Sequence, residues 1–273
     1  MSYARVRLAC RLAALAPAFL IGLPLQGLLN RFQSPLARRL PLLFHRYVCR
    51  VLGLRRILVN GPLPQGPMLI VAKHVSWLDI VVLGAVMPVA FVAKSEVAGW
   101  PFVRTLARLQ RTVFVDRQNR RATGLVADSI ARRLAEGEAV VLFAEGTTSD
   151  GNRVLPLRSA LLAAAAPPES GQDAEGHAVV VQPVVVSYSH LAGLPVSRRE
   201  RPAIAWYGDM DLAPHLAALI GGGPIDVRIG FCAPIRMASA GERKAVASAA
   251  EHEMRQLLRG PMAGRSPMAD PKI

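Results

Sequence analysis

The chain has 273 residues, enough for one large domain, and 33 Lys and Arg against 19 Asp and Glu give a formal net charge of +14. It is also oily, with 52% hydrophobic residues and a mean hydropathy of +0.29, a pairing that fits an anionic membrane surface. The 5% of aromatic residues argues against nucleic acid, whose binders combine charge with stacking rings.

In chain order, the first feature is the uncharged run Leu12 to Leu29, about 18 residues against the ~20 that a membrane span needs. Pro17, Gly22, Pro24 and Gln26 disfavour a straight helix. Arg5, Arg7 and Arg11 precede the run and Arg31, Arg38 and Arg39 follow it, so the positive-inside comparison gives no orientation. These features predict an apolar segment that enters the bilayer, turns near its prolines and leaves on the same face. A cleaved signal peptide competes, but no A-x-A-like site follows the run. The stretch from Ser34 to Arg56 mixes Leu, Phe and Val with arginines. It reads either as a basic helix at the lipid headgroups or as a surface helix packed on the domain.

After Gly61 to Pro64, short apolar runs alternate with helical stretches. Strands are predicted at 68–72, 89–93, 112–115, 139–143 and 178–187, and a later one within 225–235. Helices are predicted at 76–86, 100–109, 123–136 and 158–166, around 215–220, and at 238–259. Positions 167–176, PPESGQDAEG, read as a polar loop. Strands separated by helices predict an α/β fold, a mostly parallel central sheet flanked by helices, with functional loops at the C-terminal strand ends. The expected organisation is a membrane-associated segment with its basic helix over 1–58, a catalytic domain over 59–262 and a disordered tail over 263–273.

Within AKHVSWLDI, residues 72–80, Ser76 and Asp79 fit a capping box, which accounts for Asp79 without chemistry. His74 is not explained that way. In a strand-to-helix turn, the Asp79 carboxylate can hold one imidazole tautomer and leave the other nitrogen free to accept a proton. That is a base and its orienting group without an enzyme nucleophile, so the substrate's hydroxyl must attack. No G-x-S-x-G elbow occurs, which weighs against a lipase or esterase. A non-enzymatic basic membrane-binding module is the other alternative. Cys10, Cys49 and Cys232 fit neither a disulfide framework nor a metal knuckle, and they read as small buried side chains in a reducing compartment. His45, His177, His190, His215 and His252 lack ligand spacing, and Asp209 with Asp211 has no nearby His, so no metal site is expected.

TVFVDR at 112–117, FAEGTTS at 143–149 and VQPV at 181–184 follow the His–Asp motif, each at the end of a predicted strand or within one. In this order the four motifs resemble those of the glycerolipid acyltransferases, in particular bacterial lysophospholipid acyltransferases of the 1-acylglycerol-3-phosphate acyltransferase type, from about Val59 to Tyr188. The resemblance implies His74 as catalytic base and Asp79 as its orienting carboxylate. It implies Arg117 as a holder of the acceptor's polar head, Glu145 and Gly146, followed by Thr147 and Thr148, as shaping the acceptor site, and Pro183 as positioning the acyl donor.

This sequence departs from the family pattern where Ala144 replaces a proline and Thr148 an arginine. The motif around Arg111 and Thr112 lacks its usual glycine, and Arg111 offers a positive charge in that region. Losing the arginine fork at 148 weakens a phosphate clamp. The segment IAWYGDMDLAPHL, 204–216, resembles a proteobacterial subgroup that includes lyso-ornithine lipid acyltransferases. The implied activity is transfer of a fatty acyl group from acyl carrier protein or coenzyme A to the hydroxyl of a lysolipid, lysophosphatidate or lyso-ornithine lipid. No metal or bound cofactor is needed, and the setting is the cytoplasmic side of the bacterial inner membrane.

Overall fold

Strands that are apolar on both faces belong in the middle of a covered sheet, and MLIVA and AVVL lie there. The protein's computed structural model describes residues 3–60, 64–95, 99–115, 120–166 and 179–260. Arg117, His177, the polar loop at 167–176 and the tail at 263–273 lie outside these. The strands are β1 Leu54–Asn60, β2 Met68–Ala72, β3 Ala90–Lys94, β4 Val113–Val115, β5 Ala139–Leu142, β6 Val180–Leu191, β7 Leu194–Pro195, β8 Ile225–Phe231 and β9 Ile235–Arg236. Seven follow the order β1-β8-β6-β2-β5-β3-β4, with β7 and β9 pairing β6. Pairing is parallel except where β6 meets β7, β8 and β9.

Side chains alternate across a pleated strand, and here the alternation divides the core. Met68, Ile70 and Ala72 join Val141, Val184 and Val186 on one face, under α2 Leu40–Leu52, α3 Leu78–Val86 and α6 Leu212–Gly221. Leu69 and Val71 join Val140 and Leu142 on the other, under α5 Arg120–Ala135 and α7 Arg243–Arg259. The expected 158–166 helix is a 3-10 turn over Ala160–Ala165. Strand 225–235 breaks at Phe231 and resumes at Ile235, as Pro234 lacks the N–H that would continue it.

The N-terminus corrects two expectations. Residues Tyr3–Arg31 form one continuous helix, α1, with Pro17 and Pro24 inside it and no turn near them. Each proline removes one helical donor, which packed neighbours can make tolerable, and α1 packs against α2, α6 and α4, Pro101–Leu109. Arg7 and Arg11 are not simply flanking charges, since both donate to the Gly222 carbonyl and Arg11 also to that of Ile220 at 2.7 Å. They satisfy carbonyls left open at the end of α6. Gln26, buried, donates to the Ala37 carbonyl at 2.9 Å, and Asn30 to that of Leu109 at 3.0 Å.

The second correction concerns 34–56, which is a 3-10 turn at Pro35–Arg38, then α2, then β1. The expected boundary at residue 58 therefore falls within a strand of the main sheet. β1 was hidden because Arg55 and Arg56 interrupt its apolar pattern. Helix α2 packs on α3, where His45 lies against Gly84 and bonds Gln110 at 3.0 Å, and Arg46 donates to the Ala85 carbonyl at 2.9 Å. Burial pushes the His45 imidazole down to about 4. Of the cysteines, Cys49 is buried, Cys232 partly so and Cys10 exposed on α1, so the buried reading fails for Cys10.

Candidate active site

His74 and Asp79 come together where β2 ends and α3 begins. The imidazole Nδ1 lies 2.8 Å from Asp79 Oδ2. The same oxygen accepts the backbone N–H groups of Val75 at 2.6 Å and Ser76 at 3.0 Å, and Oδ1 accepts the Tyr188 hydroxyl at 2.6 Å. Asp79 is fully buried, so these four donors replace its water. The capping box is half right. Asp79 reaches back to Ser76, but α3 starts after Trp77, and the Ser76 hydroxyl is buried without a hydrogen-bond partner.

A carboxylate offers only acceptors, so Nδ1 carries the proton and Nε2 is the basic nitrogen. The imidazole stacks on Phe143 with ring centroids 3.8 Å apart and keeps 17% of its side-chain surface. Its backbone is fixed at both ends. His74 N–H donates to Glu145 Oε2 at 3.1 Å, and its carbonyl accepts the Ser149 N–H at 3.1 Å.

Glu145 therefore acts on this turn. Its second oxygen accepts the Leu155 N–H at 3.0 Å, and it is only 3% exposed. Both oxygens point into the protein, and the side chain holds the turn that carries His74. Burial pushes its carboxyl up, against Lys73 and the two backbone donors. Gly146 has φ +76°, a left-handed turn that suits glycine and sends the chain back beneath His74. Thr147 beyond it is exposed and Thr148 partly so.

Pro183 is buried in β6, opposite Val71 of β2. Its missing N–H costs nothing in that strand, because it falls between the residues of β6 that pair β8 and those that pair β9. Arg111 is corrected. It has φ +59°, in the slot where the motif has glycine, and it pairs with Glu138 and Glu136. It precedes β4 and so sits at the sheet end opposite His74. A cleft of about 110 Å³ lined by Arg38, Leu109, Arg111 and Glu138 lies at that same far end.

Sequence reasoning missed two residues. Tyr188 lies 109 residues from its carboxylate partner, and its only signal was a tyrosine directly after the apolar part of its strand, between two serines. Lys73 is fully buried, and its Nζ has no hydrogen-bond partner among the described residues. Its signal was a charge set directly after a buried strand. Among the described residues no group of three His, Cys, Asp or Glu is placed to hold a metal ion.

With this geometry in view, the acyltransferase family model matches residues 56–187. The chain is 44% identical to a lyso-ornithine lipid O-acyltransferase of Brucella abortus, over 95% of this chain and 97% of that one. It is 42% identical to a protein of the same description from Rhizobium meliloti, over 90% and 84%. It is 30% identical to a 1-acyl-sn-glycerol-3-phosphate acyltransferase of Neisseria meningitidis, over 73% of each. The crystal structure of the 1-acyl-sn-glycerophosphate acyltransferase from Thermotoga maritima superposes with TM-score 0.58 at 21% identity, over 97% of this chain and 100% of that one. This last likeness is one of fold.

The Tyr188 bond yields a stability prediction. Tyr188→Phe leaves Asp79 Oδ1 buried with one donor fewer, and the expected loss is about 1.5–3 kcal/mol, the range for hydrogen bonds to charged groups. Thermal denaturation in detergent followed by circular dichroism measures it, and an unchanged Tm would show that this bond contributes nothing net.

Proposed function

The chain belongs to the lysophospholipid acyltransferase family, and from that premise we propose that it moves a fatty acyl group from a thioester of acyl carrier protein or coenzyme A to the free hydroxyl of lyso-ornithine lipid. The carrying observation is the His74 imidazole, held on Nδ1 by a buried four-donor carboxylate and open at Nε2. Nε2 takes the hydroxyl proton as the oxygen attacks the thioester carbonyl carbon. The resulting imidazolium then protonates the departing sulfur, which leaves as a thiol and restores the neutral base. No step passes through a metal or a bound cofactor. Enzyme membership sets aside the non-enzymatic membrane module, and nothing favours a lipase.

Lyso-ornithine lipid is preferred over lysophosphatidate as acceptor for two reasons. Relatives with the former description are the more similar and cover more of the chain. In addition, Thr148 supplies one hydroxyl where a phosphate clamp would use an arginine fork. Arg117 remains the proposed contact for the polar head.

The apolar side of α1 is the proposed membrane contact. Leu20, Ile21, Leu25, Leu28 and Phe32 are exposed there, near exposed Leu36 and Phe102. Since α1 is docked on α2, α4 and α6, this side enters one leaflet of the inner membrane from the cytoplasmic face, with exposed Arg39 and Arg50 available to anionic headgroups.

Three outcomes are expected. His74→Ala should fold and lose about 10²–10⁴-fold in acyl transfer, the usual worth of a general base, in an assay of purified protein with a panel of lysolipids. Near-normal turnover would overturn the mechanism. In a competition between the two acceptors, Thr148→Arg should move the ratio toward lysophosphatidate by roughly 10- to 100-fold, the effect of a charge-assisted hydrogen bond; an unmoved ratio would mean that position 148 does not face the head group. Finally, Leu20→Glu combined with Leu25→Glu should abolish most co-sedimentation with anionic vesicles, and retained binding would count against α1 as the inserting surface.

A further inference from the structure

The chain has 33 basic residues but only four lysines, Lys73, Lys94, Lys244 and Lys272. One of them, Lys73, directly precedes the catalytic histidine, is fully enclosed, and continues the β2 ladder through its N–H to the Val184 carbonyl at 3.1 Å. An enclosed ammonium without a hydrogen-bond partner is costly, so its presence calls for a charge nearby that repays it.

The hydrogen bonds of the two buried carboxylates supply that charge. Both oxygens of Asp79 and both of Glu145 accept donors from the protein. Each Glu145 oxygen accepts a backbone N–H, and donors of this kind favour the ionised group. The groups that act electrostatically on Lys73 are Glu145 and Asp150 from the segment after β5, Asp79 from α3, and Arg201 from the 3-10 turn at Arg201–Ala203. Without Lys73 the set holds three carboxylates against one guanidinium. Arg at this position would bring five donors to satisfy, whereas an ammonium brings a compact charge.

We propose that Lys73 is the buried counter-cation of the catalytic turn, a positioning residue whose ammonium balances the carboxyl groups of Asp79 and Glu145 that hold His74 in place. Burial pulls the amine down from its ordinary range, opposed by Glu145, Asp79 and Asp150. Lys73 touches no substrate and acts on the reaction through its charge, which balances the two carboxylates and disfavours a second cation on the adjacent imidazole. The kinetic half of its test rests on the acyltransferase reading, and the spectroscopic half does not.

The spectroscopic half uses full-length protein in detergent micelles with 15Nζ-labelled lysine, which gives four side-chain signals, assigned through Arg substitutions at Lys94, Lys244 and Lys272. The expected Lys73 signal is that of an ammonium at pH 7. An amine signal at that pH overturns the proposal, whether or not any Lys73 variant folds. The kinetic half records kcat/KM against pH for wild type, Lys73→Met and Lys73→Arg. Loss of a nearby cation makes protonation of the base easier, so the acid limb for Lys73→Met should move to higher pH by about one unit, with kcat down at least tenfold. Lys73→Arg should return the limb toward its wild-type position. A folded Lys73→Met enzyme with an unmoved limb overturns the proposal. Loss of activity on every acceptor, with the ammonium signal intact, would instead strike the choice of reaction.

Discussion

A single buried carboxylate organises the end of the sheet where β2 passes into α3. Asp79 accepts from an imidazole, two backbone N–H groups and a phenol, and each of these donors belongs to a different requirement of the fold. The backbone donors shape the turn from β2 into α3. The phenol ties that turn to β6, and the imidazole receives its orientation and tautomer. Local structure, tertiary packing and the proposed chemistry thus share one acceptor, and a residue in the first turn of a helix is also the one that orients the imidazole.

Orientation of a side chain is of little use if its backbone drifts, and the second carboxylate addresses that. Glu145 takes the His74 N–H while Ser149 supplies a donor to the His74 carbonyl, both from the segment that follows β5. The neighbouring strand therefore grips the histidine along its main chain while Phe143 covers one ring face. With Nδ1 on Asp79, one ring face on Phe143 and its main chain gripped, the imidazole is fixed in advance, and such preorganisation lowers the cost of reaching a reactive geometry.

Much of this was legible in the sequence because its causes are local. Strands β2 and β5 announced themselves as unbroken apolar runs and β6 as a valine-rich run interrupted at Gln182, and His74 with Asp79 stood out through spacing and through the motifs that follow. What stayed hidden depends on distant partners or on direction. Strand β1 was masked by Arg55 and Arg56, since a strand paired at the sheet edge to β8 can carry charges that a buried strand cannot. Tyr188 acquires its role only when β6 is laid beside β2. The glutamate of the third motif was legible as important but not in its aim, because the Gly146 turn decides whether the carboxylate faces solvent or the backbone behind it. The continuity of α1 was unreadable for a similar reason: prolines break an isolated helix, and packing against α2, α4 and α6 decides otherwise.

The caps that Arg7 and Arg11 place on α6 span more than two hundred positions of chain. At a synthesis rate of about 5–20 residues per second, α1 precedes the carbonyls it will cap by roughly 10–40 seconds. Through that interval α2 and α4 are the partners already made, and the flank of α1 that meets α6 stays uncovered. The order in which the chain is made thus leaves the fastening of α1 to α6 by the two arginines as a late step of assembly.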